Sequence, residues 1–159
     1  MDKKLLPLLE GWQWKAKDVD VPFTLSAGKS RVMGEAEYSG WVWSALCAFN
    51  NPDAYVQFGY YDSLGVWRTT TMRPRGLYEA GFTSPNSTGI WCSKYDTTSD
   101  IYVIAFTPTI PLPVLKKYKI SVVAPGTSSV TVLNYSHLLV EIVSEETFRK
   151  SLKRALGIA

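Results

Sequence analysis

The sequence predicts an all-β fold: an antiparallel two-sheet β-sandwich, jelly-roll-like, with an extended N-terminal arm and a short C-terminal helix. Aromatic residues recur two positions apart, as in Trp12 and Trp14 or Trp41 and Trp43. This spacing puts both rings on one face of a strand, whereas on a helix they point about 200° apart. Short apolar runs also alternate with turn residues, at distances too small for parallel crossovers. A barrel is the alternative architecture.

The pattern divides the chain into three parts. Residues 1–11 form the arm, residues 12–143 the β-sandwich domain, and residues 144–159 an amphipathic helix. A chain of 159 residues buries roughly 70% of its extended surface on folding, so one core can hold it without metal or disulfide support.

The first strands are identified by alternation of apolar and polar residues. Residues 12–16 alternate, and residues 19–25 alternate in the opposite phase, which indicates a bulge or break at residues 17–18. Residues 26–30 are a turn, and residues 31–38 form the next strand.

The middle of the chain predicts a central strand and a hairpin. Residues 41–49 are apolar on both faces, which is typical of a strand packed on two sides. Residues 50–53 carry strong turn chemistry. The clearest hairpin joins residues 55–61 to residues 66–72.

A long irregular stretch follows this hairpin. Residues 73–89 include one helical turn at residues 76–81, and we interpret the stretch as a contact or binding loop. Residues 90–95 and 101–107 form a second hairpin.

The last β region begins after a proline-rich connection. Three prolines favour an extended crossing between the sheets over a central strand; they are Pro108, Pro111 and Pro113. Residues 118–124 and 130–143 are strands around the turn at residues 125–128.

The C-terminal helix has clear start and stop signals. Ser144 is a good N-cap, and Glu145 and Glu146 suit the positive end of the helix dipole. Phe148 and Leu152 share an apolar face, while the basic residues lie mostly toward the C-terminal end. Those basic residues could meet an acidic partner or simply be solvated.

Charge and hydropathy exclude several classes of protein. The net charge is only +3, which argues against nucleic acid as a partner. No apolar run reaches the ~18 residues of a membrane span. The N-terminus lacks a signal-peptide cleavage site, so we expect synthesis in the cytoplasm.

The two cysteines are Cys47 and Cys92, each inside a strand-like run. We interpret them as buried thiols that act as small apolar residues. A cross-sheet disulfide is the alternative if the finished protein leaves the reducing cytosol.

The sequence lacks a recognisable catalytic set, and we predict that the protein is not an enzyme. The single histidine, His137, is next to Ser136, which points to the opposite face of the same strand. We therefore expect His137 to be structural. The residues also predict no metal site and no cofactor.

Carboxylate pairs two residues apart could in principle serve a glycosidase. The pairs are Glu35 with Glu37 and Asp18 with Asp20. We interpret them as the solvent side of an antiparallel sheet; raised pKa values would be the sign of catalysis.

The tryptophans have two interpretations. On a β-sandwich, a planar row of rings can hold a sugar, and the candidates are Trp12, Trp14, Trp41, Trp43, Trp67 and Trp91. The alternative is that most of them fill the core, because each carries a large apolar area. We expect core or a buried subunit interface for Trp41 and Trp43, and interface or core for Trp12 and Trp14.

These observations favour a non-enzymatic structural or assembly protein. Hydrophobic residues make up 46% and charged residues 19% of the chain, so some apolar surface is expected to meet a partner. We predict a virion component, namely a capsid, decoration or tail-associated subunit made in the host cytoplasm and located in the virion. Its partners are copies of itself or other virion proteins. A carbohydrate-binding module is the alternative.

The predicted interface combines the arm, the first tryptophans, the long loop and the basic helix. Its candidate residues are Leu5, Leu6, Leu8, Leu9, Trp12, Trp14, Tyr78, Phe82, Arg149 and Lys153.

Overall fold

The computed structural model describes residues 9–18, 22–36, 39–61, 64–109 and 112–158. Within these ranges the chain is 54% strand and 12% helix. The elements in chain order are β1 (Trp12–Asp18), β2 (Phe23–Leu25), β3 (Ser30–Ala36), β4 (Gly40–Phe49), β5 (Tyr55–Tyr61), β6 (Trp67–Met72), α1 (Pro74–Glu79), β7 (Ile90–Asp96), β8 (Ile101–Phe106), β9 (Leu112–Val123), β10 (Val130–Ile142) and α2 (Glu145–Ala155).

The strands form two antiparallel sheets. Sheet I has the order β1-β10-β4-β8-β7, with β2 also paired to β10. Sheet II has the order β3-β9-β5-β6. The predicted two-sheet sandwich is therefore confirmed, and among the described residues the sheets do not close into a barrel.

The strand order is that of a jelly roll. Two of the ten strands are additions: β2 pairs only with the start of β10, and β7 flanks β8 at the edge of sheet I. The other eight strands, renumbered along the chain, have the order 1-8-3-6 in sheet I and 2-7-4-5 in sheet II. Strand 1 thus pairs with 8, 2 with 7, 3 with 6 and 4 with 5, and successive pairs alternate between the two sheets, as in a jelly roll.

Strand β9 belongs to both sheets. Its first residues pair with β4 of sheet I, with Pro113 opposite Trp41. From Tyr118 onward it pairs with β3 and β5 of sheet II. The predicted crossing between sheets is thus present, but it is part of the strand, because a proline near a strand start costs few ladder hydrogen bonds.

The main core lies between the sheets. Its most buried large side chains include Phe49, Met33, Tyr135 and Leu139. Central strand β4 contributes Val42 and other residues from alternate positions to this core, which leaves the other face of β4 directed outward.

The two helices pack against different parts of the sandwich. Helix α1 lies beside β7, where Tyr78 stacks on Tyr95 at 4.1 Å, and its Leu77 packs against the main core. Helix α2 starts at the predicted N-cap: the Ser144 hydroxyl accepts a hydrogen bond from the Thr147 amide at 3.3 Å. It packs on the outer face of sheet I.

Candidate functional site

The outer face of sheet I carries most of the tryptophans. Strand register places Trp12 and Trp14 on β1 beside Ile142 and Val140 of β10, and Val140 in turn lies beside Trp41 of β4. Partners in an antiparallel ladder point to the same side. Trp43 lies on this face as well, at the irregularity where the register between β4 and β10 shifts.

The same face continues to the far edge of the sheet. Leu46 of β4 lies opposite Ala105 of β8, which lies opposite Trp91 of β7. We call this surface the aromatic face and define it by Trp12, Trp14, Trp41, Trp43, Leu46, Trp91 and Leu138. Antiparallel sheets usually present polar residues on their outer side, so the apolar side chains distinguish this outer side from an ordinary one.

Helix α2 and Leu9 cover one end of the aromatic face. Phe148 of α2 lies 5.5 Å from Trp41 between ring centroids, and Leu9 is only 5% exposed in the same cluster. The Trp12 indole N–H donates to the Leu9 carbonyl at 2.7 Å. The Glu10 amide donates to the hydroxyl of Ser151 on α2 at 3.0 Å. The hydrogen bond between Glu10 and Ser151 thus joins the start of the described chain to α2.

The rest of the aromatic face is open. Trp14 is 47% exposed and Leu46 36% exposed. The rings are perpendicular to one another: Trp14 meets Trp12 at 88° and Trp43 at 85°, with centroids 5.3 and 5.1 Å apart. Edge-to-face contacts of this kind fix the rings in place, but they do not form a coplanar row.

Of the two interpretations of the tryptophans, the structure contradicts the one in which most of them fill the core; the subunit interface for Trp12, Trp14, Trp41 and Trp43 stays a prediction. None of the six tryptophans belongs to the main core. Five lie on the aromatic face, and the sixth, Trp67, lies over Gly59 on the outer side of sheet II. Trp41 and Trp43 pack in the outer cluster beneath α2, not between the sheets. Two-residue spacing shows that rings share a face; when both faces of a strand are apolar, it does not show which face is inside.

The remaining predicted interface residues are spread over the molecule. Leu5, Leu6 and Leu8 lie outside the described residues. Tyr78, on α1, is 48% exposed, and Phe82, just after α1, is 39% exposed. On α2, Arg149 pairs with Glu145 at 3.6 Å, and Lys153 is exposed. The structure therefore brings Leu9, Trp12 and Trp14 together on the aromatic face, with α2 beside them.

The single histidine is a core residue. His137 is 4% exposed, and its Nδ1 shares a hydrogen bond of 2.8 Å with the Tyr135 hydroxyl. The Tyr118 ring packs edge-on against it, with centroids 6.2 Å apart. Ser136 lies on the opposite side of β10, beside Leu46. His137 and Ser136 are therefore not arranged as base and nucleophile.

Of the two carboxylate pairs, the structure describes the side chain of Glu35, whereas the side chain of Asp18 lies outside its described part. Glu35 is exposed and pairs with Lys117 at 2.9 Å, and this lysine lowers the pKa of the Glu35 carboxyl. A general acid would need the opposite shift. Glu37 and Asp20 lie outside the described residues. In the described part of the chain, no three His, Cys, Asp or Glu side chains are grouped to hold a metal ion.

Both cysteines are buried and free. Burial raises the pKa of the Cys47 thiol well above its usual value and also raises that of Cys92. Each therefore stays protonated, which suits the interpretation of small apolar residues.

A second feature, which the sequence did not indicate, is a cavity of about 530 Å³ between the sheets. Its walls come from both layers: Val42 and Phe106 from sheet I, and Phe58 and Ile120 from sheet II. Ala45 of β4, one of several small residues in that strand, also lines the cavity.

None of the described helices is both long and apolar enough to cross a bilayer. No protein-family model matches the chain, and a search among curated proteins finds no match either.

Proposed function

We propose that this chain is a non-enzymatic structural subunit that assembles through protein–protein contacts, with the aromatic face as its docking surface and a second copy of the chain as its partner. The observation that carries the proposal is the position of the tryptophans: five of six lie on one outer sheet face, and none lies in the core.

The chemistry of the aromatic face suits a protein partner. Tryptophan is enriched at the energetically dominant positions of interfaces, because it buries a large, rigid area at low entropic cost. On the aromatic face, Trp14 and Leu46 leave part of their apolar side chains exposed to solvent. The edge-to-face contacts of Trp14 hold the rings in fixed positions, so little freedom is lost on docking.

The ring geometry also favours protein over carbohydrate. A sugar ring is held by aromatic faces in a coplanar row, whereas Trp12, Trp14 and Trp43 meet near right angles. A surface that presents ring edges and grooves is better matched by interdigitating side chains of another protein.

We further propose that the assembly is a virus particle, in which the chain is a capsid, decoration or tail-associated subunit. The support is the jelly-roll strand order, which viral capsid subunits share with lectins and cupins. Fold alone does not decide among these. The apolar docking face weighs toward the subunit.

The first experiment measures self-association of the full chain by sedimentation velocity. The wild type is expected to exceed the 17.8 kDa of one chain increasingly with concentration. Trp14→Ser should shift it toward the monomer, because it removes the most exposed ring of the aromatic face. The matched control, Trp67→Ser, removes a ring of similar exposure from sheet II and should leave association unchanged.

Two outcomes would overturn the docking proposal: a wild type that stays monomeric at every concentration, or equal effects of the two substitutions. Circular dichroism of both variants verifies that they fold. Electron microscopy of the purified wild type tests the particle proposal separately. Closed rings or shells are expected, whereas dimers alone would contradict a virion role and leave the docking face in place.

A further inference from the structure

The described chain begins on the aromatic face itself. Leu9 is only 5% exposed and packs in one cluster with Trp12, Trp41 and Trp43. Its carbonyl accepts the Trp12 indole N–H at 2.7 Å, and the Trp12 ring meets the Trp14 ring with centroids 5.3 Å apart. The half-exposed Trp14 therefore lies one ring contact beyond the tryptophan that Leu9 holds.

Residues 1–8 precede Leu9 in the sequence and lie outside the described residues. An extended chain spans about 3.3–3.6 Å per residue, so four residues reach roughly 13 Å. Residues 5–8, which we call the leucine segment, are therefore long enough to extend from Leu9 across the Trp14 ring. A tethered segment is present at an effective concentration of about millimolar order, which exceeds that of a second copy in dilute solution.

The composition of the leucine segment suits an apolar surface. Its sequence is Leu-Leu-Pro-Leu. Proline fixes its own φ and favours an extended conformation in the residue before it, which is Leu6. In an extended segment the side chains of Leu6 and Leu8 point to the same side. Because proline already restricts the segment, less conformational entropy is lost when it docks.

We propose that the leucine segment covers the open part of the aromatic face in the free chain, with Leu6 and Leu8 against Trp14, and that a second copy must displace it to dock. Contact between these side chains removes apolar area of both partners from water. A chain whose docking face is covered most of the time associates with a correspondingly weaker affinity. The leucine segment thereby sets the concentration at which copies associate. This competition rests on the proposed self-association of the chain, whereas the cover itself does not.

The first test is iodide quenching of tryptophan fluorescence in the full chain, at a concentration where sedimentation detects only monomer. Leu6→Ser/Leu8→Ser removes both apolar side chains and should raise the quenching constant, because Trp14 loses its cover. The control is Val32→Ser, which removes an apolar side chain that is 43% exposed on β3 of sheet II and should leave quenching unchanged. Equal quenching of the double variant and the wild type overturns the proposal.

The second test is sedimentation velocity of the same proteins over a range of concentrations. Leu6→Ser/Leu8→Ser should associate roughly five- to fiftyfold more tightly than the wild type, the gain expected if the leucine segment covers the face about 80–98% of the time. The sign of the change is diagnostic, because removal of two leucines from a contact between copies would weaken hydrophobic association. Val32→Ser should associate as the wild type does.

The two measurements separate this proposal from the assembly proposal. If the double variant is quenched more but associates no more tightly than the wild type, the competition between the leucine segment and a second copy is overturned. Weaker association of the double variant would place Leu6 and Leu8 in the contact between copies. If the wild type and the double variant both stay monomeric, the assembly proposal fails and the competition fails with it, while the quenching constant alone decides whether the leucine segment covers Trp14.

Discussion

The lack of a side chain at Gly40 determines how closely strands β4 and β10 approach each other. Gly40 begins β4, and a Cβ added there would overlap the carbonyl oxygen of Val140 on β10. Backbone cannot move aside as the end of a flexible side chain can. The close fit of β4 to β10, on which the aromatic face is built, therefore depends on glycine at this position.

Gly40→Ala is expected to lower the free energy of unfolding by about 1–3 kcal/mol, the usual cost of overpacking. Gly126→Ala is the control, because a Cβ at Gly126 meets no atom within 4 Å. Urea unfolding of both variants measures the difference. Equal stability of the two would show that β4 can shift along β10 without cost.

Cys47 and Tyr135 are register partners in the core, and burial raises the pKa of both side chains. Both are neutral when protonated, so the fold holds their protons to higher pH than the unfolded chain does. The unfolded thiol titrates near pH ~8.5 and the unfolded phenol near ~10. Their stabilising contribution is complete below those values and is lost as pH rises above them.

Stability is therefore expected to fall from about pH 8.5 upward, in step with the unfolded pKa values of these groups. The urea midpoint, measured at intervals across this range, gives the profile. Cys47→Ala removes one of the two buried thiols that titrate first and should make the decline shallower. A midpoint that stays constant well above pH ~10 would contradict a core that retains these protons.

Among the elements, α2 depends on its first turn and on one aromatic contact. Ser144 caps the helix, Glu145 and Glu146 occupy the first turn, and Phe148 contacts Trp41. The cap and the acids were evident in the sequence, because their chemistry is local. The sheet face that the helix covers was not evident, because it depends on strands far away in the chain.

Ser144→Ala should lower the free energy of unfolding by ~1 kcal/mol, the typical value of an N-cap. Ser144→Asp should restore most of it, since its carboxylate also accepts the Thr147 amide and suits the helix dipole. Thermal unfolding followed by circular dichroism compares the three proteins. If alanine and aspartate behave alike, the cap hydrogen bond of 3.3 Å contributes no stability.

Local chemistry explains which other elements the sequence could predict. The hairpin of β5 and β6 was located almost to the residue, because alternation and turn residues define it. The prolines predicted the crossing between the sheets, and Pro113 lies in the strand that makes it, where a position near the start of β9 makes proline tolerable. The cavity could not be predicted, because it is a difference in volume between two layers that meet only in the fold.

For the molecule as a whole, the force that drives association distinguishes its two candidate surfaces. Contact through the aromatic face is hydrophobic, whereas contact through Arg149 and Lys153 of α2 is electrostatic. Screening weakens only the second, and cooling weakens only the first.

Association is therefore expected to persist or strengthen as sodium chloride or sulfate is added, and to weaken on cooling. Sedimentation velocity at several salt concentrations and two temperatures measures both effects. Association that disappears with added salt would assign the contact to α2 and remove the aromatic face from it.

The outward position of all six tryptophans determines what their fluorescence can report. Indole emission follows the local solvent, so a neighbour seated on sheet I would shift it toward the blue and protect it from iodide quenching. Unfolding would shift the emission in the opposite direction, because it exposes Trp12, Trp41 and Trp43, which pack beneath α2. The direction of the shift in tryptophan emission therefore distinguishes docking of a second molecule from unfolding of the chain.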